Sequence, residues 1–228
     1  MKCAIMQPTF LPWAGYFNLI NSVDIFVFLD DVQFNRDSWQ VHNYFLCNEK
    51  THKLVVPVIK ANLKELICNI VINNNKDWQS EFLDKIYECY YANKYGDYTI
   101  KAISEVILKK HSNLSDLNID LIKKISSLIG IESSFVKSSN LENLSLGRSN
   151  YVELICREIN CNNYISPIGA KEYLLNDGFD KIHDISLTFQ NFVPVSYIQG
   201  SLTTFKSHLS IIDVIANIGP NEARKYVS

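Results

Sequence analysis

Ala4-Ile5-Met6-Gln7-Pro8-Thr9-Phe10-Leu11-Pro12-Trp13-Ala14-Gly15-Tyr16-Phe17, followed by Asp24-Ile25-Phe26-Val27-Phe28-Leu29-Asp30-Asp31-Val32-Gln33-Phe34, decides how this chain folds. Lys2–Gln7 and Asp24–Leu29 are nearly continuous apolar runs, the pattern of strands buried on both faces of a parallel sheet. Two prolines and a glycine break the chain between them, and Gly15–Asn21 reads as a helix of two turns. Strand, loop, helix, strand is the opening unit of an α/β fold, and ligands in such folds sit where the strands end. The polar residues at both strand ends, Gln7 with Thr9 and Asp30 with Asp31, mark that end as the candidate site.

Working outward, Val41–Leu46 and Lys53–Ile59 predict a strand pair around the polar turn Cys47–His52, with Pro57 at a strand end or edge. Ile67–Ile72 alternates weakly as a further strand. Asp77–Asn93 carries apolar residues at helical spacing with Asp77 as its cap, and Lys101–His111 and Asn118–Ile129 are two more helices. Ser112–Leu117 between them supplies capping residues. Ile131–Lys137, Asn163–Ser166, Lys181–Phe189 and Val195–Tyr197 read as strands, and Asn150–Asn160, Ala170–Leu175 and Leu209–Ala216 as helices, the last stopping near Gly219-Pro220. Strands and helices alternate, so the expected fold is α/β with a mostly parallel, Rossmann-like sheet. The expected organisation is an N-terminal α/β half over 1–76, a helical insertion or lid over 77–130, and a C-terminal α/β half over 131–228, together one compact unit.

The 228 residues are 47% hydrophobic and 20% charged with a formal net charge of -2, enough for a full core and without the basic excess of a nonspecific nucleic-acid binder or a polybasic membrane anchor. No apolar run reaches a membrane span and no leader precedes the Gln7 loop, so a cytoplasmic protein is expected. The six cysteines form no CxxC pair and show no zinc-ligand spacing, which predicts buried reduced thiols. Cys47 and Cys161 are the two close enough to site segments to serve as nucleophiles. Phosphate-binding P-loop, dinucleotide GxGxxG, HExxH and GxSxG patterns are absent.

Several side chains have the chemistry of a site. Asp30 and Asp31 project to opposite sides of their strand end, so one faces any given pocket, as a base, a cation ligand or an acceptor for hydroxyls or an amine. His42 titrates near neutrality and is a second candidate base. Gln7, Thr9, Gly15 and Tyr16 line the first loop, where Pro8 and Pro12 stiffen the backbone. Gln33, Arg36, Trp39 and Gln40 follow the second strand. Arginine grips phosphate in two prongs and tryptophan offers a stacking face. Arg148 with Ser149 and Asn150, and Ser166 with Gly169 and Lys171, are two further turns suited to phosphate. His208, Ser210 and Asp213 have the composition of a catalytic triad, but their spacing fits a helix capping box better.

Read in order, these segments resemble the WbqC-like protein family of bacteria. The resemblance rests on Met6–Trp13 with Gly15-Tyr16-Phe17, on Phe28–Phe34, and on Ser38-Trp39-Gln40 and Val56-Pro57-Val58. It continues through Tyr164-Ile165-Ser166 with Gly169-Ala170-Lys171, then Leu209–Asp213 and Asn217–Pro220. Family members often carry arginine near the position of His42 and tyrosine where Phe10 stands. The resemblance implies a context of surface-polysaccharide and amino-sugar biosynthesis. It therefore implies a transferase that attaches an acyl or aminoacyl group, such as glycyl, to the amine of a dTDP-linked 4-amino-4,6-dideoxy sugar in O-antigen assembly. The opening is also similar to a nucleotidyltransferase-type core, in which a first strand leads to an HxGH-type loop. Here Pro12–Tyr16 contains no histidine, so the acyl group is expected to arrive as a thioester on coenzyme A or an acyl carrier protein, with ATP as the alternative. No tightly bound cofactor and no metal are expected. An ATP-dependent ligase or a non-catalytic sugar-nucleotide binder are the competing readings.

Overall fold

The first apolar run is the central strand of the molecule. The computed structural model describes residues 1–60, 62, 64–141 and 148–228, with Arg148 described in its backbone alone. Lys2–Met6 forms β1, Ala14–Asn21 forms α1 and Ile25–Phe28 forms β2. β1 and β2 pair in parallel from Cys3↔Ile25 to Met6↔Phe28. After the hairpin β3 (His42–Cys47) and β4 (Lys50–Val55), three helices follow: α2 (Trp78–Tyr90), α3 (Gly96–Ile107) and α4 (Leu114–Leu128). The chain then re-enters the sheet as β5 (Ser134–Lys137), crosses through α5 (Arg148–Glu158) to β6 (Asn163–Ser166), and through α6 (Lys171–Asn176) to β7 (Ser186–Phe189). Helices α7 (Ile211–Ile218) and α8 (Pro220–Tyr226) close the described fold.

The central sheet has five strands in the order β5-β2-β1-β6-β7, and every pairing within it is parallel. Strand order reverses at β1. To one side lie β2 and β5, to the other β6 and β7, so the crevice beyond the carboxyl ends of β1 and β6 is the topological switch point. The α/β fold with a parallel sheet is as expected.

Period-two alternation along the strands divides the interior in two. Ala4, Phe26 and Phe28 face a large core with α1, α2, α3, α4, α7 and α8. Cys3, Ile5 and Val27 face a smaller one with α5, α6 and Tyr164. The helical middle shares the larger core directly. Phe82 of α2 meets Phe10 edge-on at 5.3 Å, and Ile103, Leu117 and Ile122 are buried beside the sheet residues.

Several elements differ from the sequence reading. The hairpin turn is two residues, Asn48 and Glu49, both at positive φ as tight hairpins require, so β4 begins at Lys50 rather than Lys53. Ile67–Asn69 is a 3₁₀ turn flanked by single bridges, Val58↔Ile72 and Val71↔Asn113. Ile67, Ile70 and Ile72 are buried, though the segment forms no continuous strand among the described residues. Val195–Tyr197 belongs to no strand among the described residues, and Val195 is exposed. Asp77 occupies the cap position of α2 without a side-chain hydrogen bond to the helix. Asn113 does cap α4, accepting from the N–H groups of Ser115 and Asp116. Pro220 starts α8, because proline is as well suited to a first helical turn as to a stop.

Candidate functional site

Beyond the end of β1 the chain makes a loop over 7–13 whose shape is dictated by hydrogen bonds from four separate elements. Asn43 of β3 donates from Nδ2 to the carbonyls of Phe10 (3.0 Å) and Leu11 (2.7 Å). Asn118 of α4 donates to the carbonyls of Pro8 (3.2 Å) and Gln40 (2.9 Å). Ser210, at the cap of α7, donates to the Leu11 carbonyl (2.7 Å). The Phe10 N–H donates to the Trp39 carbonyl (2.8 Å), and Gln40 Nε2 donates to Gln7 Oε1 (2.7 Å). These bonds hold Leu11 at φ 43, a left-handed conformation unusual for a leucine. Such strain persists only where the surroundings over-determine it, as they do here.

The loop walls a cavity of about 270 Å³ lined by Met6, Thr9, Pro12, Trp13, Tyr16, Trp39, Asn43 and His208. Met6, the last residue of β1, is the one residue of the parallel sheet on its wall. Two indoles define it. Trp13 packs against His208 at 4.5 Å between ring centroids and against Phe192 at 5.6 Å. Trp39, 50% exposed, leaves a large aromatic surface available. Tyr16 is buried, donates its hydroxyl to the Gln7 carbonyl (3.0 Å), and burial pushes its ionisation well above the ordinary phenol range. Among the described residues the Thr9 hydroxyl has no hydrogen-bond partner. His208 sits at φ 61, with Nδ1 2.8 Å from Ser207 Oγ. A larger cleft of about 710 Å³ lies between the β3–β4 hairpin, the α2–α3 junction and α7, and no residue lining it belongs to the parallel sheet.

Of the residues singled out from sequence, Thr9, Tyr16 and Trp39 meet in this cavity. Gly15 lies directly under Trp13, since a side chain there would meet the indole at 2.2 Å. Gln7 and Gln40 brace each other beside it. The other candidates are elsewhere. Asp30 is fully buried at the end of β2 and its carboxylate accepts from the Ser139 N–H (3.0 Å) and the hydroxyls of Ser139 (3.0 Å) and Ser115 (3.2 Å), while its own N–H donates to Ser138 Oγ (3.1 Å). Both oxygens are occupied, so Asp30 ties β2 to the end of β5 and to α4. Asp31 accepts from the hydroxyls of Ser138 and Tyr151. Burial and this carboxylate push the Tyr151 phenol upward.

His42 packs on Trp39 (5.4 Å) and lines a separate depression with Arg36 and Lys53. Burial, then the Lys53 charge, lowers its pKa, which keeps the ring neutral near pH 7. Gln33 bridges to Leu66, Ser166 is buried at the end of β6, and Lys171 Nζ lies 5.5 Å from the Phe189 ring centroid. The Arg148 side chain lies outside the described residues. Neither cysteine considered as a nucleophile lines the cavity. Cys47 is buried with Sγ 3.6 Å from Glu88 Oε1, and Cys161 is buried in the smaller core.

The composition of a triad near the C-terminus does not become one. His208 stacks on Trp13, Ser210 caps α7, and buried Asp213 accepts from Tyr197 (2.5 Å) and Gln199 (2.9 Å). Met6, Pro12, Trp13 and Asn43 are wall residues without a site role in the sequence reading, and His208 enters that reading only through the triad composition. Trp13 and His208 lie 195 positions apart and meet because the bridge Trp13↔Ser210 sets their chain segments side by side, so no local pattern links them.

A family model described as the WbqC-like protein family matches residues 7–225. The chain belongs to the WbqC-like family. It is also 28% identical, over 99% of its length and 97% of the relative's, to a Mycobacterium tuberculosis protein named Uncharacterized protein Rv1507c. No solved structure matches. Among the described residues of this WbqC-like chain, no helix is long and apolar enough to cross a membrane.

Proposed function

We propose that the cavity between Trp13 and Trp39 binds the sugar of a nucleotide-linked amino sugar, and that the protein transfers an acyl or aminoacyl group to its amine. The observation that carries this reading is the cavity itself: two indoles, a methionine and a proline around a small set of polar groups, at the end of the central strand. Small-molecule cavities run from roughly 300 Å³ upward, so one of about 270 Å³ suits a single ring rather than a whole nucleotide sugar. Indole faces stack on the C–H faces of sugars, and an apolar wall of this kind favours a deoxysugar with a methyl group over a fully hydroxylated hexose.

In this reading a neutral sugar amine attacks the carbonyl of an activated acyl group. The C–N bond forms, the thiol of coenzyme A or of an acyl carrier protein leaves, and the amine proton goes to a base. His208 supplies that base, since its imidazole is on the cavity wall while Asp30 is saturated with donors and His42 lies behind Trp39. Thr9 contributes a hydroxyl for the sugar or the developing oxyanion. The nucleotide extends out of the cavity across the exposed face of Trp39.

The test is mass spectrometry of a dTDP-amino-sugar panel incubated with the protein and acyl-coenzyme A, an acyl carrier thioester, or glycine with ATP. A mass gain on the sugar, lost in Trp39→Ala and in His208→Gln, is the expected result. Saturable sugar-nucleotide binding with no product from any donor replaces this reading with that of a non-catalytic binder. Pyrophosphate release with glycine and ATP replaces it with an ATP-dependent ligase.

A further inference from the structure

We propose that Cys3, Cys156 and Cys161 form a three-sulfur site for one soft metal ion, Cu(I). The three Sγ atoms lie within 4.8 Å of one another, with Cys3 and Cys156 at 3.7 Å, and all three residues are buried and free of disulfides. They come from the second residue of the central strand β1, the last turn of α5 and the turn into β6.

The convergence has a local cause. Helix α5 ends with Asn160 at φ 56, with the Asn160 N–H bonded to the Arg157 carbonyl (3.0 Å) and the Cys161 N–H to the Cys156 carbonyl (2.7 Å). This is the Schellman arrangement, which brings the side chain two residues past the helix against the one in its last turn. Here those two side chains are both thiols. Cys3 stands opposite them because alternation along β1 turns Cys3 and Ile5, rather than Ala4, toward α5.

Sulfur at about 2.3 Å from a metal, arranged as a triangle, gives sulfurs about 4.0 Å apart, which these positions meet with small movements. Among the described residues no fourth cysteine, histidine or carboxylate joins the group. Zinc in structural sites takes four ligands, whereas thiolates alone suit the softer Cu(I). As the Cu–S bonds form, the displaced thiol protons leave to solvent. Copper stays Cu(I), so no oxidant or reductant is consumed. Asn160 and Asn162 on either side of Cys161 are exposed, which gives the ion a short route in.

The experiment titrates the full, reduced chain anaerobically with Cu(I) supplied as its bicinchoninate complex. X-ray absorption of the loaded protein follows. The expected result is one copper withdrawn per chain with a shell of three sulfurs. Cys161→Ala should lose that equivalent. A chain carrying Cys47→Ala, Cys68→Ser and Cys89→Ser, which leaves the cluster alone, should keep it. No copper withdrawn, retention in Cys161→Ala, or loss in the triple variant overturns the proposal and leaves three ordinary core thiols. Should Cys161→Ala not fold, the absorption spectrum of the unaltered chain decides, and a shell of two sulfurs or one with nitrogen or oxygen overturns the site.

Discussion

Gly15 carries no side chain, and the indole of Trp13 lies where one would be. Its conservative replacement, Gly15→Ala, is therefore expected to push Trp13 off the cavity wall while leaving α1 intact. A shift in tryptophan fluorescence and at least tenfold weaker sugar-nucleotide binding, about 1.4 kcal/mol, check this. Asp30 shows the opposite relation between position and role. It has the residue type and strand-end placement of a catalytic acid, yet both oxygens are filled by serine and backbone donors. Asp30→Asn replaces an acceptor with an amide N–H₂ that faces donors, so it is expected to cost about 2 kcal/mol of stability, read from urea unfolding midpoints. Residue type was legible in the sequence at Asp30. Its saturation was not, because Ser115, Ser138 and Ser139 come from segments 85 to 109 positions away.

The elements divide by how local their determinants are. β1, α1, β2, β6 and α2 follow from apolar runs and periodicity and stand within a few residues of where those patterns place them, while α3 and α4 begin four to five residues earlier, at Gly96 and Leu114. The Ile67–Ile72 segment, which pairs through single bridges, and Val195–Tyr197 have the composition of strands but form none among the described residues, so alternation alone overstated them. The loop over 7–13 is the case where one element governs another. Its carbonyls are pinned by Asn43 of β3, which uses both Nδ2 protons and also accepts from the Tyr44 N–H (2.7 Å). Asn43→Ala removes two donors from buried carbonyls and is expected to cost about 2–3 kcal/mol. It should also broaden the Thr9–Trp13 amide signals in NMR spectra while leaving those of β1 and β2 unchanged.

At the scale of the whole molecule, α7 brings an acid into the larger core. Asp213 is fully buried, and burial raises its pKa against the opposing pull of hydrogen bonds from Tyr197, Gln199 and Tyr90. The folded state therefore holds this proton more tightly than the unfolded chain does. The corresponding stability is fully present below the unfolded value of about 3.9 and is lost as pH rises through the folded value. Asp213→Asn keeps an oxygen for Tyr197 and Gln199 and removes the charge. The variant is expected to match or exceed the native chain in stability near neutrality, with a flatter dependence on pH on the acid side. Chemical denaturation across that range measures both. A native chain that grows more stable as pH rises through the acid range, relative to Asp213→Asn, contradicts the sign.

The sequence by itself determined the α/β class, the buried parallel strands and the polar break in the chain at the end of the first strand, where a cavity lies. These depend on apolar periodicity and on backbone breakers, which act over a few residues. Membership of the WbqC-like family was legible too, in ordered motifs along almost the whole chain. Only the tertiary structure decided which side chains meet. It placed Trp13 beside His208, put Trp39 on a cavity wall that Arg36 and Lys171 do not line, gave Asp30 a framework of serines, and gathered three cysteines that have no common spacing. The physical reason is that a strand order of β5-β2-β1-β6-β7 brings β1, at one end of the sequence, against β6 and the last helices. Contacts made across that distance carry no periodic signature in the chain that makes them.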